Sequence, residues 1–278
     1  KKKEKLVLGL ATGSTPKSLY AELVRLHREE GLSFKNVVTF NLDEYYPIER
    51  DALQSYYRFM HQQLFDHIDI SPKNINIPNG EIEKDKIKEH CSEYEKKIDA
   101  AGGIDLQILG IGNNGHIGFN EPGSGLHSKT RLINLDNSTR LANSYEFANI
   151  AEVPRLALTM GIQSILRSKK IILMAWGSGK APVIKKAVEE EMTESLPASL
   201  LQVHDDEVIA HHIAVILVIA KQLVVHIGPA ITQGRSDNRR ITTRIQQIAA
   251  RKIQRQAQTK RNTFLYFSNA LLDFFRRQ

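Results

Sequence analysis

IDLQILGIGNNGHIGFNEP, residues 104–122, falls into an apolar half and a glycine-rich half. Ile104 to Leu109 has the length and composition of a buried parallel strand. The run ends in a loop carrying Gly110, Gly112, Gly115 and Gly118, a backbone able to take positive φ and to approach a ligand closely. Set among these glycines are Asn113, Asn114, His116, Asn120 and Glu121. Open α/β sheets bind ligands at the carboxyl ends of their strands, and this end carries an imidazole and a carboxylate. His116 can exchange a proton near neutral pH, and Glu121 is near enough in sequence to orient or recharge it. A solvated histidine in an ordinary turn would account for the same residues, so this loop alone does not decide between chemistry and structure.

Other strand ends repeat the pattern. Leu6 to Leu10 reads as a strand, followed by Ala11-Thr12-Gly13-Ser14-Thr15-Pro16 and a helix with Leu19, Leu23 and Leu26 on one face. Thr15 suits the N-cap and Pro16 the first helical position. A hydroxyl-rich loop at a helix N-terminus can hold a phosphate, although an ordinary capped helix explains the same residues. It is neither a Walker loop nor a dinucleotide fingerprint. Val37 to Leu42 is a second strand, ending in Asp43-Glu44, which either rim a site or cap a turn. Ile171 to Trp176 runs into Gly177-Ser178-Gly179-Lys180, where the lysine offers a point charge to a phosphate. A last short strand is expected at Ser199 to Val203. Helices are expected over Asp51–Phe65, Ile82–Ala101, Ser138–Phe147, Pro154–Leu166 and Pro182–Glu191, with extended pieces at Ile75–Gly80 and Ser128–Leu135. The alternation through residues 6–206 predicts an α/β fold: a doubly wound, mostly parallel sheet with helices on both faces.

A chain of 278 residues with 41% hydrophobic and 25% charged content holds one large or two small globular domains. Its single cysteine, Cys91, excludes a disulfide framework and a cysteine-based zinc site, and suits a reducing cytoplasm. Residues 221–278 hold 12 Lys/Arg and 2 Asp/Glu, a balance of +10, which leaves −3 of the net +7 for residues 1–220. The body therefore gives no electrostatic sign of nucleic acid. Val208 to Gly228 is apolar but interrupted by His211, His212, Lys221 and His226, which fits a buried strand or helix better than a membrane span. Adjacent His211 and His212 without further ligands make a poor metal site. Residues 235–261 read as a basic amphipathic helix or a solvated tail. The chain starts without methionine and enters a strand almost at once, so a preceding segment is expected to be missing.

Taken together, TGSTP at 12–16, FNLDEY at 40–45, SYYRFM at 55–60, GIGNNGHIGFNEP at 110–122, STRLANS at 138–144 and GSGK at 177–180 resemble the glucosamine-6-phosphate deaminase family. The likeness spans roughly residues 5–206 and leaves 207–278 as an atypical basic tail. It implies a modified Rossmann-like fold that converts glucosamine 6-phosphate to fructose 6-phosphate and ammonia with no cofactor and no metal. It further implies Asp43 as the base moving the C2 proton, His116 as the ring-opening base with Glu121 assisting, and Tyr56 as a lid tyrosine. Thr12, Gly13, Ser14, Thr15 and Lys180 fall on the phosphate cradle. The partner implied is a small amino-sugar phosphate, in a cytoplasmic monomer or homo-oligomer that engages no membrane or nucleic acid.

Three departures from the family pattern stand out. Asn114 replaces an aspartate that some members carry beside the histidine; it can orient His116 but adds no negative charge. Tyr145 stands where an arginine often clamps the phosphate. Ser124 and Arg131 match part of the allosteric site of regulated members, but Ile133 replaces its lysine, so no such activation is expected. Two other functions suit the same sequence: a 6-phosphogluconolactonase-like hydrolase, which would not need Asp43, and a non-catalytic sugar-phosphate sensor, which would have no reason to keep Asp43, His116 and Glu121 together.

Overall fold

The computed structural model describes residues 5–204, together with the backbone of 213–219 and 222–227. Among the described residues seven strands form the main sheet. In chain order they are β1 (Leu6–Leu10), β2 (Val37–Asn41), β4 (Ile75–Asn76), β5 (Leu106–Gly110), β8 (Ile171–Trp176), β9 (Ile213–Ile219) and β10 (Gln222–Ile227). Their spatial order is β10-β9-β8-β5-β1-β2-β4, and every neighbouring pair is parallel except β9 with β10. After β1 the chain moves to β2 on one side; it later returns to place β5 on the other. The loops after β1 and β5 thus diverge at a topological switch point, where such sheets form their ligand crevice.

Alternation along β1 divides the core. Leu6, Leu8 and Leu10 pack with Leu19, Tyr20 and Leu23 of α1 (Lys17–Glu30) and Met60 of α2 (Tyr56–Gln63). Val7 and Ala11 face the opposite layer with Tyr94 and Ile98 of α3 (Ile87–Ala100), Ile162 and Ile165 of α5 (Ile162–Leu166), and Val183 and Ile184 of α6 (Ala181–Glu189). Helices therefore cover both faces, as the continuous apolar strands require.

Some local expectations need correcting. Asp43 and Glu44 do not merely end the second strand or cap a turn: they open β3 (Asp43–Tyr46), part of a second, three-stranded sheet of order β3-β7-β6. Its other strands are β6 (Arg131–Asn134) and β7 (Leu156–Thr159), and both pairings are antiparallel. The expected helix over Pro154–Leu166 is thus a strand followed by the short α5. A short apolar run fits either period, and here pairing on both sides selects the strand. Helix α2 starts at Tyr56 rather than Asp51 because Ser55 caps it, accepting from the Arg58 N–H at 3.0 Å. Pro16 precedes α1 in αR conformation without a side-chain cap, so Thr15 does not serve as one. Pro197 to Val203 is a 3-10 helix, not a strand; it docks on the central loop through Ala198 N–H to Gly115 C=O at 2.8 Å. The pair His211–His212, the basic segment 235–261 and the first four residues lie outside the described residues.

Candidate active site

The crevice between β1 and β5 is walled by the two loops the sequence singled out. Trp176 Nε1 at the end of β8 donates to the Thr15 carbonyl at 2.7 Å and pins the first loop. The second is tied to the small sheet: Asn120 Nδ2 donates to the Met160 carbonyl at 2.8 Å, and Phe119 N–H to Thr159 Oγ1 at 3.1 Å. Since Thr159 pairs with Asp43 across β7 and β3, the same strand sets both Asp43 and the histidine loop.

Asp43 is 4% exposed, and Thr12 Oγ1 donates to its Oδ1 at 3.4 Å. Burial first, and then the charge of Glu44, push its carboxyl up to about 8, while the Thr12 hydrogen bond pulls it back. Gly118, at φ 57°, lies directly over this carboxyl: a Cβ there would stand 3.3 Å from Asp43 Oδ2.

His116 is held over the Gly112 backbone so closely that a Cβ at 112 would meet its Cε1 at 2.3 Å. Its Nδ1 lies 3.6 Å from Glu121 Oε2 and 3.3 Å from Thr139 Oγ1. Asn114 does not take up the ring. Its Oδ1 accepts from the His116 backbone N–H at 3.2 Å, and its Nδ2 donates to Glu121 Oε2 at 2.8 Å. Asp136 N–H donates to Glu121 Oε1 at 3.3 Å. Burial alone would raise the Glu121 carboxyl; hydrogen bonds with His116, Thr139 and Asn114 outweigh it and hold the group below its ordinary value.

Lys180, half-buried, reaches across from the end of β8 to donate to the Ile111 carbonyl at 2.8 Å and to Asn113 Oδ1 at 2.6 Å. Burial lowers its ammonium from the ordinary value. Thr12, Gly13, Ser14, Thr15, Asp43, Tyr56, Asn114, His116 and Lys180 all line one cavity of about 360 Å³. Glu121 stands behind its wall, in contact with His116. Among the described residues no group of three or more His, Cys, Asp or Glu is placed to hold a metal ion.

Tyr56 is buried and stacks on Phe119 at 5.7 Å between ring centres, with Tyr45 4.9 Å away. Helix α4 (Asn137–Asn143) supplies residues that the sequence reading quoted in STRLANS but gave no role. Ser138, Thr139, Ala142 and Asn143 line the cavity, and Asn143 Nδ2 donates to Tyr45 Oη at 3.0 Å. Helical spacing could have flagged Thr139 and Asn143 as sharing a face. Tyr145 also lines the cavity; its hydroxyl is engaged by Glu146 at 2.9 Å, and it is 69% exposed. Arg131 instead donates to Asn120 Oδ1 at 2.9 Å and to Ser124 Oγ at 3.0 Å, while Ile133 packs against an apolar cluster.

The model of the family described as glucosamine-6-phosphate isomerases/6-phosphogluconolactonase matches residues 1–210. A glucosamine-6-phosphate deaminase of Clostridium botulinum (strain Langeland / NCTC 10281 / Type F) is 53% identical over 203 residues, 73% of this chain and 82% of the relative. One from Oceanobacillus iheyensis is 52% identical over 206 residues, 74% and 82% of the two chains. The solved structure of a monomeric glucosamine-6-phosphate deaminase superposes with a TM-score of 0.73 at 44% identity, covering 79% of this chain and 88% of that one. A 6-phosphogluconolactonase from Thermotoga maritima shares the fold, with a TM-score of 0.59 at 22% identity over 78% of this chain and 87% of that one.

Proposed function

Given that the chain belongs to the glucosamine-6-phosphate isomerase/6-phosphogluconolactonase family, we propose that its cavity converts glucosamine 6-phosphate to fructose 6-phosphate and ammonia. The chain is an enzyme of the deaminase branch, as relatives of that name at 53% and 52% identity indicate. The observation that carries the site assignment is the lining of one cavity by Asp43, His116, the 12–15 loop and Lys180 together.

In this reading the backbone and hydroxyls of Thr12 to Thr15 hold the phosphate, with Lys180 as its counter-charge. Binding energy at the phosphate positions the far end of the sugar. His116 takes the proton of the anomeric hydroxyl and returns one to the ring oxygen, opening the ring to the aldehyde. Glu121 holds the imidazole in place; Asn114 and Thr139 hold Glu121. Asp43 then removes the C2 proton, now acidified by the neighbouring carbonyl, and delivers it to C1. The resulting C2 imine takes up water and releases ammonia, leaving the ketose. A protonated amine at C2 supplies a cation beside Asp43 and favours its ionised form.

The test is ammonia release from glucosamine 6-phosphate by the purified chain, with 6-phosphogluconolactone as the competing substrate. Ammonia that depends on Asp43 supports the deaminase; lactone hydrolysis that survives Asp43→Asn would replace it with a lactonase. One free, buried thiol, Cys91, suits a cytoplasmic enzyme, and among the described residues no helix is long and apolar enough to cross a membrane.

A further inference from the structure

Glu44 is 2% exposed and takes no part in the steps above. Neighbouring residues of a strand point to opposite faces, so Asp43 faces the cleft and Glu44 turns away from it. There its Oε1 accepts from the N–H groups of Tyr45 at 3.0 Å and Tyr56 at 2.8 Å, and its Oε2 from Tyr57 N–H at 2.8 Å. Tyr56 and Tyr57 open α2, whose first amides have no partner within the helix, and the carboxylate sits at the positive end of the helix dipole. One side chain thus joins the strand that carries Asp43 to the helix that carries Tyr56, both of which line the cavity.

We propose that Glu44 is a positioning residue of this site, acting through Asp43 and Tyr56: it clamps the first turn of α2 against β3 and sets a negative charge behind the C2 proton acceptor. The inference rests on the function proposed above. The groups around Asp43 are consistent with it. Thr12 donates to Asp43, while Tyr20 of α1, Tyr94 of α3, Tyr45 of β3 and Tyr56 of α2 all feel its charge and are kept protonated by it and, first, by burial. Burial pushes the Glu44 carboxyl itself up to about 7, and the N–H groups of Tyr56, Tyr57 and Tyr45 pull it back, so it loses its proton below Asp43 and its charge then strengthens Asp43 as a base.

Two variants separate position from charge. Glu44→Gln keeps the shape, removes the charge and leaves one oxygen to face three N–H donors. Glu44→Asp keeps the charge and loses the reach. With glucosamine 6-phosphate, E44Q should lower kcat roughly tenfold or more and move the acid limb of kcat/KM down by on the order of one pH unit. E44D should lower kcat while leaving that limb in place. Carbon-13 NMR of the Asp43 carboxyl, identified by its loss in Asp43→Asn, should show a lower titration midpoint in E44Q than in the parent. Folded E44Q with a parent-like limb and midpoint overturns the proposal, as does E44D with parent-like kcat should E44Q fail to fold. A parent that releases no ammonia sinks the functional reading instead, and the carboxyl titration then still decides the role of Glu44.

Discussion

Replacing Asp43 by asparagine should abolish turnover and yet strengthen the fold at alkaline pH. The folded carboxyl holds its proton up to about 8, against 3.8 for an unperturbed aspartate, chiefly because it is buried. Between these values the folded state binds more protons than the unfolded chain, so rising pH costs the parent stability. The stabilising effect of the bound proton is fully present below the lower value and is lost as pH rises through the upper one. At about 1.36 kcal/mol per unit, the loss reaches roughly 6 kcal/mol at most. Asparagine has no proton to release and keeps a hydrogen-bonding partner for Thr12. Urea unfolding of parent and D43N, followed by Trp176 fluorescence across that range, should give nearly equal stabilities at the acid end. The variant should gain steadily toward the alkaline end, by at least about 2 kcal/mol. A difference that stays flat with pH would refute the claim that burial holds the proton on Asp43.

Three further substitutions probe the rest of the site. Lys180→Met should raise KM and weaken competition by inorganic phosphate roughly tenfold or more, the loss of one charge-assisted hydrogen bond; steady-state kinetics reads this directly. Thr139→Val removes the hydroxyl 3.3 Å from His116 Nδ1 and should lower kcat roughly tenfold, with little change in KM, in the same assay. Gly118→Ala places a Cβ at φ 57°, 3.2 Å from Thr159 Oγ1; it should cost about 1–3 kcal/mol in denaturant unfolding and reduce turnover.

The central loop was legible because its glycines, histidine and carboxylate are contiguous, and contiguity is what a sequence displays. The phosphate loop was legible for the same reason, and Lys180 because Gly177 to Lys180 follows an unmistakable apolar strand. The second sheet was not. Leu156 to Thr159 has no periodicity of its own to separate strand from helix, and its identity as β7 comes from pairing with β3 and β6, far away in the chain. That miss also hid the setting of Asp43, which opens a second strand rather than ending β2. Thr139 and Asn143 escaped assignment because their roles depend on α4 docking against Glu121 and Tyr45, contacts made only in the folded chain. That Asn114 can orient His116 follows from its place two residues before it; that it does so through the His116 backbone N–H and through Glu121 is a matter of the folded loop.

The most direct test follows the proton itself. Glucosamine 6-phosphate deuterated at C2 is incubated with parent and D43N, and proton NMR follows the label. In the parent, deuterium should leave C2, reaching C1 of the product or the solvent as ammonia appears. In folded D43N this movement should slow by roughly 100-fold or more. Deuterium that moves at the parental rate in D43N, or ammonia formed with C2 deuterium untouched, would contradict the assignment of Asp43 and with it the shared cavity as the seat of the reaction.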